Sequence, residues 1–418
     1  MVARDMRTSG VELSKAFSDG ARAAGVEVVD IGLASTDLLY FASGRLDLPG
    51  VMFTASHNPA RYNGMKMCLP GARPVGLETG LAEVQQGAEA ALDSGEDLAA
   101  PIAGIEHMEL IDEYAAHVRG FVPRGELRPL VVVADTANGM GGLVVPRVFD
   151  GLPFRLHVLF GELDGTFPNH PADPIQPANL VDLKRSVLQL GADVGLAFDG
   201  DADRVFLVDE NACEVSGSLT TDLVAKAMLD QYPGATILYN LICSRVVPET
   251  IAQNGGVGIR TRVGHSFIKQ VMAETGAVFG GEHSGHYYFR DNFRADSGLI
   301  AALTVLAMMS HSSLALSELL APYKRYADSG EVNLEHPDPA GATEAVATAL
   351  WSRGDVVDTT DGITVEHPDW WFNLRPSNTE PLLRLNVEAR TEEECKLRVD
   401  EVLQLVSSVA GTGAQEIV

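Results

Sequence analysis

The chain has 418 residues, too many for one average core, so two to four domains are expected. Its 46% hydrophobic and 21% charged residues are ordinary for a globular protein, while a formal net charge of -26 argues against nucleic acid and anionic membrane surfaces as partners, since both need a basic footprint. The four cysteines, Cys68, Cys213, Cys243 and Cys395, lie far apart with no CxxC pair, which argues against a disulfide frame or zinc site and for reduced thiols in a soluble, cytoplasmic protein.

The opening MVARDMRTSG lacks the apolar run of a signal peptide. Val11, Leu13, Phe17 and Ala21 then recur near helical spacing, with Gly25 as a stop, and predict a helix over 11–25. EVVDIGL and GVMFTA read as strands. The second runs into SHNPARYNGMK, where Pro59 prevents the strand from continuing and Asn63-Gly64 makes a second turn before Lys66. A second unit opens at LRPLVVVADTANGMGG (127–142), an apolar strand feeding a glycine-rich helix start, and continues through RLHVLFG and ADVGLAFDGDADRVFLVDE (192–210). A third opens at ATILYNLICS (235–244) and proceeds through GVGIRTRVGHSFIKQVMAETG to AVFGGEHSGHYYF (277–289). LIAALTVLAMM (299–309) is too short to span a bilayer and reads as a buried helix. Each unit alternates strand and helix and ends in a strand entering a polar loop, which predicts three related α/β domains of about a hundred residues. The tail places helix-like segments around ITVEHPDWWFNLRPSNTEPLLRLNVEAR (363–390), as expected for a small α+β fourth domain. Boundaries near 103, 213 and 325 divide the chain into 1–103, 104–213, 214–325 and 326–418.

Four loops carry candidate chemistry. Ser56 offers one hydroxyl at the mouth of a strand, followed by the base Lys66. In DGDADR, Asp199, Asp201 and Asp203 alternate, so three hard oxygen donors can face one centre and suit Mg2+ or Ca2+. An EF-hand is disfavoured because Arg204 replaces its turn glycine and both flanks are strand-like; a solvated acidic turn is the bland alternative. GGEHSGHYYF sets Glu282, Ser284 and His286 on alternate positions of a glycine-flanked loop, suited to vicinal sugar hydroxyls or simply a structural turn. RPSNTEPLLR collects Arg375, Ser377, Asn378, Thr379 and Arg384, the makings of a phosphate or carboxylate clamp, or of a capped turn. GHSFIK adds His265 and Lys269 at a helix start, where anions are welcome, against a core-facing histidine as the rival account. The glycines of NGGVG and ANGMGG do not fit a GxGxxG fingerprint, which argues against dinucleotide binding.

Taken in order, TASHNP with NGMK, DGDADR, GEHSGH and RPSNTEP resemble the α-D-phosphohexomutase superfamily, the phosphomannomutases and phosphoglucomutases, and VGHSFIK and DTANGMGG extend the likeness over nearly the whole chain. The resemblance implies a heart-shaped molecule with a central cleft: three related α/β domains with mixed sheets and a TATA-binding-protein-like fourth. It implies that Ser56 is a phosphoserine and that Asp199, Asp201 and Asp203 hold Mg2+, with Ser56 through its phosphoryl oxygen as a further ligand. His57 and Lys66 become proton-transfer candidates, Arg204, His265 and His286 cleft-lining groups, Glu282 and Ser284 the grip on ring hydroxyls, and Arg375, Ser377, Asn378, Thr379 and Arg384 the hold on the phosphate not transferred. The implied reaction interconverts hexose 6- and 1-phosphates through a hexose 1,6-bisphosphate, with a phosphorylated hexose as partner in a monomer or dimer. GEHSGHYYF is closer to the phosphomannomutase subgroup than to the phosphoglucosamine one, and mannose against glucose stays open.

Two departures stand out. Many members carry a lysine where Ile242 precedes Cys243, and members normally begin with about fifty more residues, including a GTDGIRG-like loop with an arginine near the serine. The expectation that follows is a first domain with exposed apolar surface and an unpaired strand edge, less stable and less active than an extended form. A catalytically weak sugar-phosphate-binding protein of the same fold is the alternative.

Overall fold

The computed structural model describes residues 1–95, 99–122, 127–377, 381–410 and 415–417. The first unit holds β1 (Val2–Arg4), α1 (Gly10–Ala23), β2 (Val28–Leu33), α2 (Thr36–Leu46), β3 (Gly50–Phe53), β4 (Met65–Leu69), β5 (Arg73–Pro74), α3 (Leu81–Ser94), β6 (Ile105–His107) and α4 (Ile111–Arg119). Its sheet order is β5-β4-β3-β1-β2-β6. The second unit holds β7 (Val131–Asp135), α5 (Gly141–Phe149), β8 (Arg155–Leu159), α6 (Val181–Leu190), β9 (Val194–Phe198), β10 (Val205–Asp209) and β11 (Glu214–Val215), ordered β11-β10-β9-β7-β8. The third holds α7 (Gly217–Gln231), β12 (Thr236–Asn240), α8 (Val246–Gln253), β13 (Val257–Thr261), α9 (His265–Thr275), β14 (Phe279–Gly281), β15 (Tyr287–Phe289), α10 (Gly298–His311) and α11 (Leu316–Leu320), ordered β13-β12-β14-β15.

The three sheets repeat one plan. A first strand (β1, β7, β12) is paired in parallel with the next two strands on its two sides, and the third strand (β3, β9, β14) turns into an antiparallel partner (β4, β10, β15). TASHNP, DGDADR and GEHSGH are the three equivalent hairpin loops, each at the carboxyl end of a parallel strand, where open α/β sheets present their ligand crevice. VVVAD, VGLAF and VFLVD are buried almost throughout, as expected of strands covered on both faces.

One sequence expectation needs correction. Val2–Arg4 is no edge: it lies inside its sheet, bonded to β2 and β3, and the edges are β5 and β6. Apolar exposure does occur on α1, where Val11 is 52% and Leu13 43% exposed. Helix α2 had no periodic signal because Thr36 through Ser43 are consecutively buried, and a helix covered on all sides shows no amphipathic stripe.

One hydrophobic cluster runs through all three units, from Ala3 and Leu39 through Val132, Leu196 and Val205 to Leu306, with α10 buried along most of its length. Asp37 ties the units as well: buried on α2, it accepts from Tyr114 of α4 and, at 2.8 Å, from Ser297 at the start of α10. Burial pushes its carboxyl up to about 6 despite these donors.

The last unit holds β16 (Ala327–Glu335), α12 (Pro339–Arg353), β17 (Val357–Asp358), β18 (Ile363–Glu366), β19 (Trp370–Pro376), β20 (Leu382–Ala389), α13 (Glu392–Ala410) and β21 (Gln415–Ile417). Its antiparallel sheet, β17-β18-β19-β20-β16-β21, carries both helices over a separate core around Val346, Leu374, Leu385 and Val406. Its links to the third unit are largely polar: Arg245 donates to the carbonyls of His367, Pro368 and Trp370, and Arg260 pairs with Glu366 and Asp358. Among the described residues no single helix is long and apolar enough to cross a membrane.

Candidate active site

In the first loop the Ser56 amide donates to the Thr54 hydroxyl at 2.9 Å, and the backbone then takes a left-handed φ of +49° at Ser56, uncommon for a residue with a side chain. That turn aims the largely buried Ser56 Oγ at the second unit, where it donates to Asp199 Oδ2 at 2.6 Å. His57 Nδ1 lies 3.5 Å from the same hydroxyl. Burial and the Arg204 charge push the His57 imidazole down to about 3, so it is neutral at ordinary pH.

The second loop joins β9 to β10 and buries three carboxylates, Asp199, Asp201 and Asp203, with an oxygen of each within 4.8 Å of the others. Lys66 arrives on β4 and reaches Asp201 Oδ2 at 2.7 Å and Asp203 Oδ2 at 2.6 Å. The Arg204 amide donates to Asp199 Oδ1 at 3.2 Å, and its Nε lies 3.6 Å from Asp199 Oδ2. Burial and mutual repulsion push Asp199 and Asp203 well above the carboxylate range; Asp201 is also buried, but the Lys66 ammonium holds it below that range. Three carboxylates thus face two cations, and Asp201 Oδ1 and Asp203 Oδ1 are buried with no hydrogen-bond partner. Orphaned hard oxygens on carboxyls that resist ionising side by side fit a divalent metal, whose charge would let all three ionise, so the acidic cluster can bind one. Lys66 itself is a charged tie rather than a free base: burial works against its charge, but Asp201 and Asp203 outweigh it and raise its pKa well above the usual value.

The third loop meets the second through Arg204, whose Nε donates to His286 Nε2 at 3.1 Å. An accepting Nε2 leaves the proton on Nδ1, which faces Ser284 Oγ at 3.0 Å. Glu282 is buried and fully engaged: Oε2 accepts from Tyr288 at 2.6 Å, and Oε1 from Asn240 at 3.3 Å and the Gly264 amide at 3.2 Å. It therefore positions the start of α9, the helix that His265 opens; the His265 side chain, like Asn378 and Thr379, lies outside what the structure describes. Lys269 turns away from that helix start, pairing with Asp296 at 2.7 Å over the Tyr40 ring, so it offers no anion hold there.

In the fourth unit Arg375 and Arg384 face each other across β19 and β20. Glu331 of β16 sits between them, 3.0 Å from Arg375 and 3.4 Å from Arg384. The Ser377 amide closes the hairpin onto the Leu382 carbonyl at 2.8 Å. The structure thus brings Ser56, His57, Lys66, Asp199, Asp201, Asp203, Arg204, Ser284 and His286 into one network, with the arginine pair on the fourth unit.

Sequence reasoning missed Thr36, which donates its hydroxyl to Asp201 Oδ2 from the first turn of α2. The run Ser35-Thr36-Asp37 was a readable cap signal, since Ser35 Oγ accepts from the Leu38 amide. It also missed Glu331, Tyr288 and Arg7, whose Nη2 donates to the Ser56 carbonyl at 2.8 Å.

Comparison with known proteins gives four family matches along the chain. Residues 1–91, 112–214 and 217–326 match the alpha/beta/alpha domains I, II and III of phosphoglucomutase/phosphomannomutase, and residues 331–405 match its C-terminal domain. A phosphomannomutase of Salmonella montevideo is 37% identical over 412 residues, covering 97% of this chain and 90% of that protein. A Xanthomonas campestris protein described as phosphohexose mutases is 37% identical over 410 residues, covering 97% and 91%. The crystal structure of a phosphoglucomutase/phosphomannomutase family protein from Burkholderia thailandensis superposes with a TM-score of 0.87 at 32% identity, covering 99% of this chain and 90% of that one.

Proposed function

The chain belongs to the phosphoglucomutase/phosphomannomutase family and is a hexose phosphate mutase acting on phosphorylated sugars, and from that premise we propose that Ser56 is its phosphoryl relay and mannose phosphate its substrate. The carrying observation is the 2.6 Å bond from Ser56 Oγ to Asp199, which sets the serine hydroxyl of the first loop against the three-carboxylate cluster. In the proposed cycle the phosphoserine O–P bond breaks as a new one forms to O1 or O6 of a hexose monophosphate, giving the 1,6-bisphosphate. The acceptor hydroxyl gives up its proton and the departing Ser56 oxygen takes one up, with His57, whose Nδ1 lies 3.5 Å from Ser56 Oγ, as the proposed carrier between them, so Ser56 is left as a free hydroxyl. The bisphosphate then presents its other end, and the second phosphate returns to Ser56.

Asp199, Asp201 and Asp203, with Ser56 or its phosphoryl oxygen, would hold Mg2+, which when bound neutralises charge on the transferring group. Lys66 and Arg204 add fixed positive charge around the same oxygens, supplied before reaction and so without reorganisation. Ser284 and His286 face the sugar, Glu282 steadies their loop through Tyr288 and the start of α9 through Gly264, and Arg375 with Ser377, Asn378, Thr379 and Arg384 receives the phosphate that does not react. Glucose phosphate is the competing substrate, because the same ring contacts serve both epimers.

Intact mass of active protein should show one phosphate that Ser56→Ala lacks, and Ser56→Ala should lose turnover while melting normally. A phosphate retained in Ser56→Ala, or full activity without it, refutes the relay. Comparing kcat/KM for mannose 1-phosphate and glucose 1-phosphate, with a trace of bisphosphate, decides the substrate.

A further inference from the structure

We propose that Arg7 is the positioning residue of the Ser56 loop, an assignment that rests on reading Ser56 as the relay. A guanidinium has five N–H donors in a fixed plane. All five of Arg7 are used: Nε donates to Asp5 Oδ2 at 3.2 Å, Nη1 to the carbonyls of Pro59 and Tyr62 at 2.9 and 3.0 Å, and Nη2 to those of Ser56 and Asn58 at 2.8 and 2.6 Å. The residue is 0% exposed. Four carbonyls within one short loop therefore point at a single cation, and without it their dipoles would repel one another in a place that water does not reach.

Turning the carbonyls inward turns the side chains outward. With its carbonyl held by Arg7 and its φ at +49°, Ser56 directs Oγ at Asp199. Gly200 packs against the same carbonyl, where an added Cβ would come within 2.4 Å of the Ser56 oxygen. The guanidinium is locked in turn. Asp5 Oδ1 accepts the Arg7 amide at 2.9 Å, and the Asp5 amide donates to the Phe53 carbonyl at the end of β3, so the hub is bolted to the sheet. From the second unit the Phe167 ring lies 5.1 Å from the guanidinium, and Gly165 packs so closely that a Cβ there would be 2.6 Å from Arg7 Cα. Arg7 touches no reacting atom; it acts through the loop. A lysine cannot replace it, because three donors on one ammonium cannot serve five acceptors spread over a plane.

The test compares Arg7→Lys, the double variant Asp5→Leu/Arg7→Met, which removes both buried charges together, and Arg7→Gly with added guanidinium ion. An ångström of displacement at a reacting hydroxyl costs on the order of a hundredfold in rate, so kcat should fall about that far in Arg7→Lys. KM for the hexose phosphate should stay within about twofold, because the groups that hold it lie on other loops. Low-millimolar guanidinium, and not ammonium, should restore kcat of Arg7→Gly by about tenfold or more, a response that a purely structural arginine would not give. The proposal is overturned if a variant that melts normally keeps kcat within about threefold of the parent, or if kcat falls only in step with thermal stability and guanidinium restores nothing. Intact mass separates the two readings. A parent with no phosphate on Ser56 removes the relay, whereas guanidinium rescue still reports whether this loop geometry governs turnover.

Discussion

Replacing Glu331 by Gln removes a carboxylate shared by two guanidiniums on neighbouring strands while keeping the shape of the side chain. Arg375 is 6% exposed and directly opposite Arg384, so the change leaves like charges cross-strand, and burial already pulls the Arg375 pKa down. Breaking a fully buried pair costs about 3–5 kcal/mol, but the Glu331 and Arg384 side chains are each 27% exposed, and solvent screening brings the expected loss to about 2 kcal/mol. For a unit of this size that is a drop of about 10 °C in Tm. The assay is built into the sequence: all three tryptophans, Trp351, Trp370 and Trp371, lie in the fourth unit, so their fluorescence follows its melting alone. Inorganic phosphate should restore Tm more in Glu331→Gln than in the parent, because the anion takes the place of the lost carboxylate. A tryptophan transition within about 2 °C of the parent, with no selective gain from phosphate, would refute the claim that Glu331 neutralises this clamp.

Asp201→Asn should lower kcat by at least about a hundredfold and weaken Mg2+, and undiminished turnover in chelator would remove the metal from the mechanism. His170 gives a pH prediction. Burial alone would lower its pKa, but the Asp135 carboxylate at 3.1 Å outweighs it and raises the folded value above 6.5. Its contribution is therefore fully present below the unfolded value and lost as pH rises through the folded one. Tm measured against pH should fall on that alkaline side in the parent and be flatter there in His170→Gln; identical profiles would show that the pair does not anchor the segment.

The four loops were legible because their chemistry is compositional: alternating aspartates, glycine-flanked polar residues and paired arginines keep their character whatever the fold. Their convergence was legible only in outline, since it depends on three sheets repeating the same strand order. Arg7 was invisible as a hub because its acceptors are mostly backbone carbonyls, which leave no mark on the sequence, and the arginine near the serine was expected from a different loop. Glu331 was missed because β16 and β19 are far apart in sequence and meet only on either side of β20. Lys66 was read as a base because nothing local to NGMK announces that two aspartates from another unit will hold it charged.

The continuity of one apolar core through three units, and its interruption before the fourth, sets what can move. Separating the first three would expose buried aliphatic surface, whereas the fourth is joined mainly by arginine contacts, several of them partly open to solvent. Interfaces of that kind permit rigid-body rotation on the microsecond to millisecond scale. In the proposed cycle a bisphosphate presents first one end and then the other to Ser56, and so needs room to turn over without being released. In this chain a swing of residues 326–418 would be the inexpensive way to make that room, and the rate of that swing, rather than of phosphoryl transfer, would then set the ceiling on turnover.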